Sequence, residues 1–144
     1  MADYEQLRLN NQLCFPLYVC AKEVVRKYKP LLDELDLTYT QYITMMAMWE
    51  HEELSAKELG AILYLDSGTL TPVLKTLEKK GFVVRQRSKD DERSLILSLT
   101  PSGKNLQDKA ASVPEAMMKC IDMSLEDLHA LHKLLHKFMD TSLK

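Results

Sequence analysis

Apolar residues recur every three or four positions along most of this chain and every second position over one short stretch, and the change of period outlines its elements. Over residues 5–32, Leu7, Leu13 or Cys14, Leu17, Ala21, Val24 or Val25 and Tyr28 keep helical spacing. Pro16 lacks a backbone donor, so either the main helix begins near Leu13 or a longer helix kinks there. Lys29-Pro30 is expected to end the pattern. Thr38 and Gln41 have the spacing of a capping box ahead of a stripe of Tyr39, Tyr42, Ile43, Met46 and Ala47. Ser55 and Glu58 repeat the box for a short third helix ending near Leu63, with Leu54 and Leu59 at the staple positions. A fourth helix buries Leu70, Val73, Leu74 and Leu77 and stops at Gly81; Asp66 or Thr69 can cap it, or Thr71 with Pro72 as its first residue.

The period then falls to two. Phe82–Arg87 and Ser94–Leu99 predict two strands joined by the polar tip Ser88–Arg93, which makes a β-hairpin. Thr100-Pro101 opens a fifth helix that runs to about Ser112, where Val113-Pro114 breaks or bends it. Ser124 and Asp127 open a last helix carrying Leu128, Leu131, Leu135 and Phe138. The expected fold is therefore mainly α with a small β-hairpin: a winged helix-turn-helix flanked by N- and C-terminal dimerisation helices. As domains, residues 1–144 form one unit, with 36–100 as the lobe that meets DNA and 1–35 and 101–144 as the assembly helices.

Composition narrows this further. A chain of 144 residues with 46% hydrophobic and 28% charged residues suits one globular domain and argues against disorder. Its longest uncharged stretches, Leu9–Ala21 and Leu37–Trp49, are 13 residues, short of the roughly 18 that a membrane span needs. The N-terminus Met-Ala-Asp-Tyr-Glu does not resemble a signal peptide, so a cytoplasmic location with no membrane partner is expected. Three cysteines without a Cys-x-x-Cys spacing are not a disulfide framework, and each thiol is packing material or chemistry.

Net charge is −2, which by itself argues against nucleic acid, but the charge is unevenly placed. Residues 1–54 hold 5 cations and 9 anions, whereas 55–99 hold 8 and 6. Within 75–89, Lys75, Lys79, Lys80, Arg85, Arg87 and Lys89 face a lone anion, Glu78. A helix-turn-helix followed by a basic hairpin can set its second helix in a major groove and reach phosphate or the minor groove with the wing. A duplex with two half-sites then calls for a homodimer.

Several ordered motifs resemble one family. Asn11-Gln12-Leu13-Cys14-Phe15, Lys27-Tyr28-Lys29-Pro30, Leu37-Thr38-Tyr39-Thr40-Gln41-Tyr42, Tyr64–Pro72 and Asp91-Glu92-Arg93-Ser94 look like the organic-hydroperoxide-sensing repressors of the MarR superfamily. The resemblance implies a dimeric repressor that binds an inverted-repeat operator and is released when Cys14 is oxidised by an organic hydroperoxide. It implies that Tyr28 and Tyr39, with the start of the second helix, activate the Cys14 thiolate. It implies no cofactor and no enzymatic role. For DNA it suggests Ser67, Thr69, Thr71, Pro72 and Lys75 in the major groove, Arg85 and Arg87 on the backbone, and Arg93, positioned by Asp91, in the minor groove.

The chemistry requires a thiolate, because a thiol is a poor nucleophile, and no Lys, Arg or His lies within four residues of Cys14 to supply one. Tyr28 stands fourteen residues beyond Cys14 on what scans as one helix, roughly 20 Å away. If both serve one thiol, Tyr28 comes from the other subunit. Cys20, six residues from Cys14, is too distant along a helix for a disulfide and is expected to pack. Cys120 follows a Val113-Pro114-Glu115 motif like that of family members with a resolving cysteine; resolving residue and bystander both stay open, and a small cellular thiol is the alternative cap. Three other functions compete: a thiol peroxidase, a repressor that answers a phenolic ligand, and a metal sensor using His129, His132 and His136. Those three histidines are expected to form a polar helix face rather than a metal site.

Overall fold

Thr38, Ser55, Asp66, Thr100 and Ser124 each accept a hydrogen bond from the backbone N–H three residues on, and each opens a helix. The computed structural model describes residues 3–143. It runs from two 3-10 turns (Glu5–Leu7 and Leu9–Asn11) through α1 (Cys14–Asp33), α2 (Tyr39–His51), β1 (Glu53–Ser55), α3 (Ala56–Leu63) and α4 (Ser67–Lys79). It continues through β2 (Val83–Arg87), β3 (Leu95–Leu99), α5 (Pro101–Ala110), α6 (Val113–Met118) and α7 (Leu125–Ser142). Both capping boxes are complete, with the Gln41 and Glu58 side chains accepting from the backbone of Thr38 and Ser55.

Of the prolines, Pro30 departs from the sequence expectation, whereas Pro16, Pro72 and Pro114 each follow one of the alternatives it left open. Pro16 is the third residue of α1, where its missing donor would have had no helical partner, so the helix starts at Cys14 without a kink. Pro30 does not end α1, which continues to Asp33. The last turn is secured instead by a Schellman closure: Leu37 N–H reaches the Leu32 carbonyl, and Asp36 N–H the Asp33 carbonyl. Leu32 and Leu37 are both buried, which adds the usual apolar contact of that motif. Pro72 lies inside α4, six residues into a helix capped by Asp66. Pro114 opens a separate short helix, α6, in place of a bent continuation of α5.

The sheet has three strands in the order β1-β3-β2, all antiparallel, where the alternating pattern had suggested two. Leu54 of β1 pairs with Leu97, and Val84 pairs with Ser98. A three-residue strand is too short for a period of two to register. Gly103 lets α5 close against this sheet, because a Cβ there would overlap the Phe82 carbonyl.

The core is gathered around α2, α3, α4 and the sheet, with Met45, Met48, Leu59, Leu77 and Leu97 fully enclosed. Leu106, Ala110 and Val113 of α5 and α6 join it, so the packed unit extends past residue 100. The outer helices are different. Leu32 is the buried residue of α1, and α7 has none. Phe15, Tyr18, Val24 and Val25 on α1 and Leu131, Leu134, Leu135 and Phe138 on α7 lie open. Among the described residues no helix is long and apolar enough to cross a membrane.

Candidate nucleic-acid interface and thiol site

The turn between α3 and α4 is set by Tyr64, which takes the left-handed conformation (φ 56°) and lets Leu65 N–H return to the Gly60 carbonyl. The turn delivers α4 with Leu70, Leu74 and Leu77 inward. Ser67, Thr69, Thr71, Pro72 and Lys75 all lie exposed on the opposite face. The Asp66 carboxylate caps the helix from 2.7 Å, and that hydrogen bond holds its pKa below the usual carboxylate range. The Thr69 amide is thereby committed to Asp66. The Thr71 hydroxyl donates to the Ser67 carbonyl at 2.6 Å.

The cations of 75–89 divide into two sets. Arg85 turns inward: its guanidinium grips Glu78 at 3.0 and 3.2 Å, and its N–H donates to the same carboxylate. These hydrogen bonds pull Glu78 below its ordinary pKa. The Lys80 ammonium reaches the Asp36 carbonyl and the Gln41 amide oxygen. Lys75, Lys79, Arg87 and Lys89 stay exposed. At the wing tip the Ser88 hydroxyl accepts from the N–H groups of Asp90 and Asp91. Asp91 in turn accepts from the Arg93 backbone at 3.0 Å and pairs with its guanidinium at 3.6 Å. Arg93 is 95% exposed at the end of this ordered tip.

Cys14 is the first residue of α1 and is exposed, as are Cys20 and Cys120. The favourable helix end nearest Cys14 in its own chain is therefore that of α1, where the resemblance pointed to α2. Tyr28 lies near the far end of α1 and packs on Tyr39, the first residue of α2, with ring centroids 4.9 Å apart. Tyr42 completes the cluster at 5.7 Å from Tyr28 and 6.4 Å from Tyr39. Burial raises the pKa of all three phenols, so they stay protonated donors at neutral pH. Among the described residues, the Tyr28 and Tyr39 hydroxyls donate to no protein acceptor. With α1 continuous, the fourteen-residue rise from Cys14 to Tyr28 is about 21 Å, so one chain does not bring thiol and phenols together. The Cys120 thiol donates to the Ala116 carbonyl at 3.5 Å.

On α7 the rings of His132 and His136 face each other with Nε2 atoms 3.0 Å apart. Among the described residues no three His, Cys, Asp or Glu side chains are arranged to hold a metal ion. Sequence reasoning assigned no site role to three residues of this region: Tyr42, named only within a stripe and a motif, and the inward partners Glu78 and Lys80, named only as charges. The Tyr39–Tyr42 spacing was a usable signal for the first. The other two depend on contacts between distant elements, which no local pattern carries.

A helix-turn-helix with an uncovered polar recognition face, followed by a wing that presents Arg87, Lys89 and Arg93 to solvent, defines a winged-helix regulator of the DNA-binding class. Residues 26–110 match the family model for the transcriptional regulators SarA/Rot. The organic hydroperoxide resistance transcriptional regulator of Bacillus subtilis is 46% identical over 96% of this chain and 94% of its own length. Two structures of AbfR from Staphylococcus epidermidis bound to DNA, one reduced and one overoxidised, each superpose with a TM-score of 0.76 at 35% identity. They cover 94% of this chain and 95–96% of theirs. The chain belongs to the MarR superfamily of transcriptional regulators, in the branch that holds the organic-hydroperoxide-resistance and SarA/Rot-type proteins. These relatives are transcriptional regulators.

Proposed function

We propose that this chain is a peroxide-sensing repressor that acts as a homodimer in the cytoplasm, without a cofactor and without catalytic turnover. Two copies hold an inverted-repeat operator until an organic hydroperoxide oxidises Cys14. The observation that carries this reading is the pair of protonated, unengaged phenols, Tyr28 and Tyr39, packed 4.9 Å apart and about 21 Å along α1 from their own Cys14. The open apolar faces of α1 and α7 support a partner subunit whose thiol reaches them. Two hydrogen bonds from phenols stabilise a thiolate and lower its pKa.

The thiolate sulfur attacks the outer oxygen of the hydroperoxide. The O–O bond breaks, the alkoxide leaves and takes a proton to become an alcohol, and Cys14 is left as sulfenic acid. A thiol then condenses with it, losing water and forming a disulfide. That thiol is Cys120 of the other subunit or a small cellular thiol, and both routes balance. A Cys120→Ser variant that still forms a reversible protein–protein disulfide with peroxide eliminates the first.

On the duplex, Lys75 with the Ser67 and Thr69 hydroxyls meets the major groove, while the Thr71 methyl and the Pro72 ring contact thymine methyls. Arg87 takes the backbone, with Arg85 held at the base of the wing by Glu78. Arg93, oriented by Asp91, enters the minor groove. The test is operator binding by wild type and Cys14→Ser, with and without cumene hydroperoxide. Wild type is expected to dissociate on oxidation and Cys14→Ser to stay bound. Peroxide-insensitive binding by wild type, or release of Cys14→Ser, overturns the reading.

A further inference from the structure

Three helix ends meet at one ammonium group. Lys80 is the C-cap of α4, so its charge sits at the negative end of the recognition helix. Its side chain, 24% exposed, leaves that helix and crosses to the corner between α1 and α2. There Nζ donates to the Asp36 carbonyl and stands 3.4 Å from both the Asp36 carboxylate and Gln41 Oε1. Asp36 is the left-handed residue of the Schellman closure of α1 (φ 54°), a conformation in which a non-glycine residue is strained. The closure turns its carbonyl out of the α1 ladder towards Lys80. Gln41 is 8% exposed, and the same oxygen accepts from the Thr38 N–H in the α2 capping box. Tyr39, the first residue of α2, lies between the two members of that box.

We propose that Lys80 is a positioning residue that ties the recognition helix to the sensor corner, so that a change at Tyr39 is felt by α4. The inference rests on the peroxide-sensing reading. While the phenol of Tyr39 bonds the partner's thiolate, the first turn of α2 is held in place, Gln41 stays aligned, and Lys80 keeps α4 in the orientation that fits the groove. Oxidation removes the anionic acceptor, and the capping turn is free to shift. Because Lys80 bonds to that turn and to the end of α1 together, the shift alters the seat of α4 directly, without passing through the apolar core. The carboxylate of Asp36 is 91% exposed and contributes little to this link; the backbone carbonyl does the holding.

The experiment compares wild type, Lys80→Met, Lys80→Arg and Asp36→Gly as full-length protein. It measures operator affinity in the reduced and cumene-hydroperoxide-oxidised states, the rate of Cys14 oxidation, and the melting midpoint. Lys80→Met preserves most of the apolar stem but cannot bond the corner. It is expected to oxidise at the wild-type rate, while the ratio of oxidised to reduced dissociation constants shrinks at least about tenfold, within the range of ordinary coupling. Lys80→Arg, which can still donate to the carbonyl, is expected to restore most of the ratio. Asp36→Gly keeps the carbonyl in a relaxed left-handed turn and is expected to retain it. A Lys80→Met protein that releases the operator by the wild-type factor overturns the inference while leaving the peroxide-sensing reading intact. A wild type that does not release at all overturns both. If Lys80→Met fails to fold, Lys80→Arg and Asp36→Gly decide: loss of the ratio in Asp36→Gly, or its loss in a folded Lys80→Arg, sinks the link.

Discussion

Arg93 is the residue whose surroundings most limit its role. It has no buried contact, its guanidinium is 95% exposed, and its bonds run to Asp91 at the wing tip. An exposed ion pair of this kind adds little to stability, so a function in folding is excluded by magnitude. Arg93→Ala is expected to leave the melting midpoint unchanged and to weaken operator binding. It should also lower the slope of log affinity against log salt by about one, as loss of one phosphate-field cation does. Unchanged affinity at moderate salt would refute the contact. Arg85 differs in every respect: it is half-buried and held by Glu78 through three hydrogen bonds. Arg85→Ala is expected to destabilise the fold, which equilibrium denaturation would register as a lower midpoint. In the sequence both arginines were expected to meet DNA, Arg85 on the backbone and Arg93 in the minor groove. Cys14, Tyr28, Tyr39 and Arg93 stood out because their motifs are local. The division of the cations did not, because it depends on Glu78 and on the α1–α2 corner, each reached only after folding.

At the scale of elements, the helix-turn-helix is held by carboxylates at its starts and ends. Glu58 completes the α3 capping box, Asp66 caps α4, and Glu78 clamps α4 to β2. Each has a pKa lowered chiefly by the hydrogen bonds it accepts. A depressed carboxylate pKa means the folded state favours the ionised form. Its contribution is therefore fully present above the unfolded pKa and is lost as pH falls through the folded one. The melting midpoint is expected to be flat with respect to these groups from neutral pH down to about 5 and to fall in more acid solution. Asp66→Asn keeps an N-cap acceptor without a titration, so its acid decline should be shallower than that of wild type. An equally steep decline would show that Asp66 has no part in it. Gly103 limits the next junction. Its missing Cβ lets α5 approach the Phe82 carbonyl, and the Trp49 indole N–H donates to the Gly103 carbonyl at 2.9 Å. Gly103→Ala must displace backbone and should cost about 1–3 kcal/mol by equilibrium denaturation. The caps at Thr38, Ser55, Thr100 and Ser124 were legible in the chain because capping is a three-residue code. β1 was not, since its three residues become a strand only through Leu97 of β3. Nor was the passage of α1 through Pro30, which depends on the burial of Leu32 and Leu37 in the closing turn.

The whole molecule has a lobe with a closed core and two outer helices, α1 and α7, on which Phe15, Tyr18, Val24, Val25, Leu131, Leu134, Leu135 and Phe138 lie open within one chain. Burying apolar side chains contributes about 25 cal/mol per Å2, which makes a second copy a strong source of stability for them. Such a pairing changes what a sensor site is. In one chain Cys14 and Tyr28 lie towards opposite ends of α1, so a site that uses both has to draw on two copies. If the pairing brings the thiol of one copy to the phenols of the other, then subunits crippled in complementary ways should rescue each other. Mixed dimers can be formed from Cys14→Ser protomers and from protomers carrying both Tyr28→Phe and Tyr39→Phe. In such a dimer, one site combines the intact Cys14 of the second chain with the intact tyrosines of the first, and the other site has neither. Half of the sites should then react with cumene hydroperoxide at the wild-type rate, followed as loss of free Cys14 thiol, while either parent homodimer reacts slowly or not at all. A site built within one protomer gives the opposite result, because no chain in the mixture carries both the thiol and the phenols, and mixing would then rescue nothing.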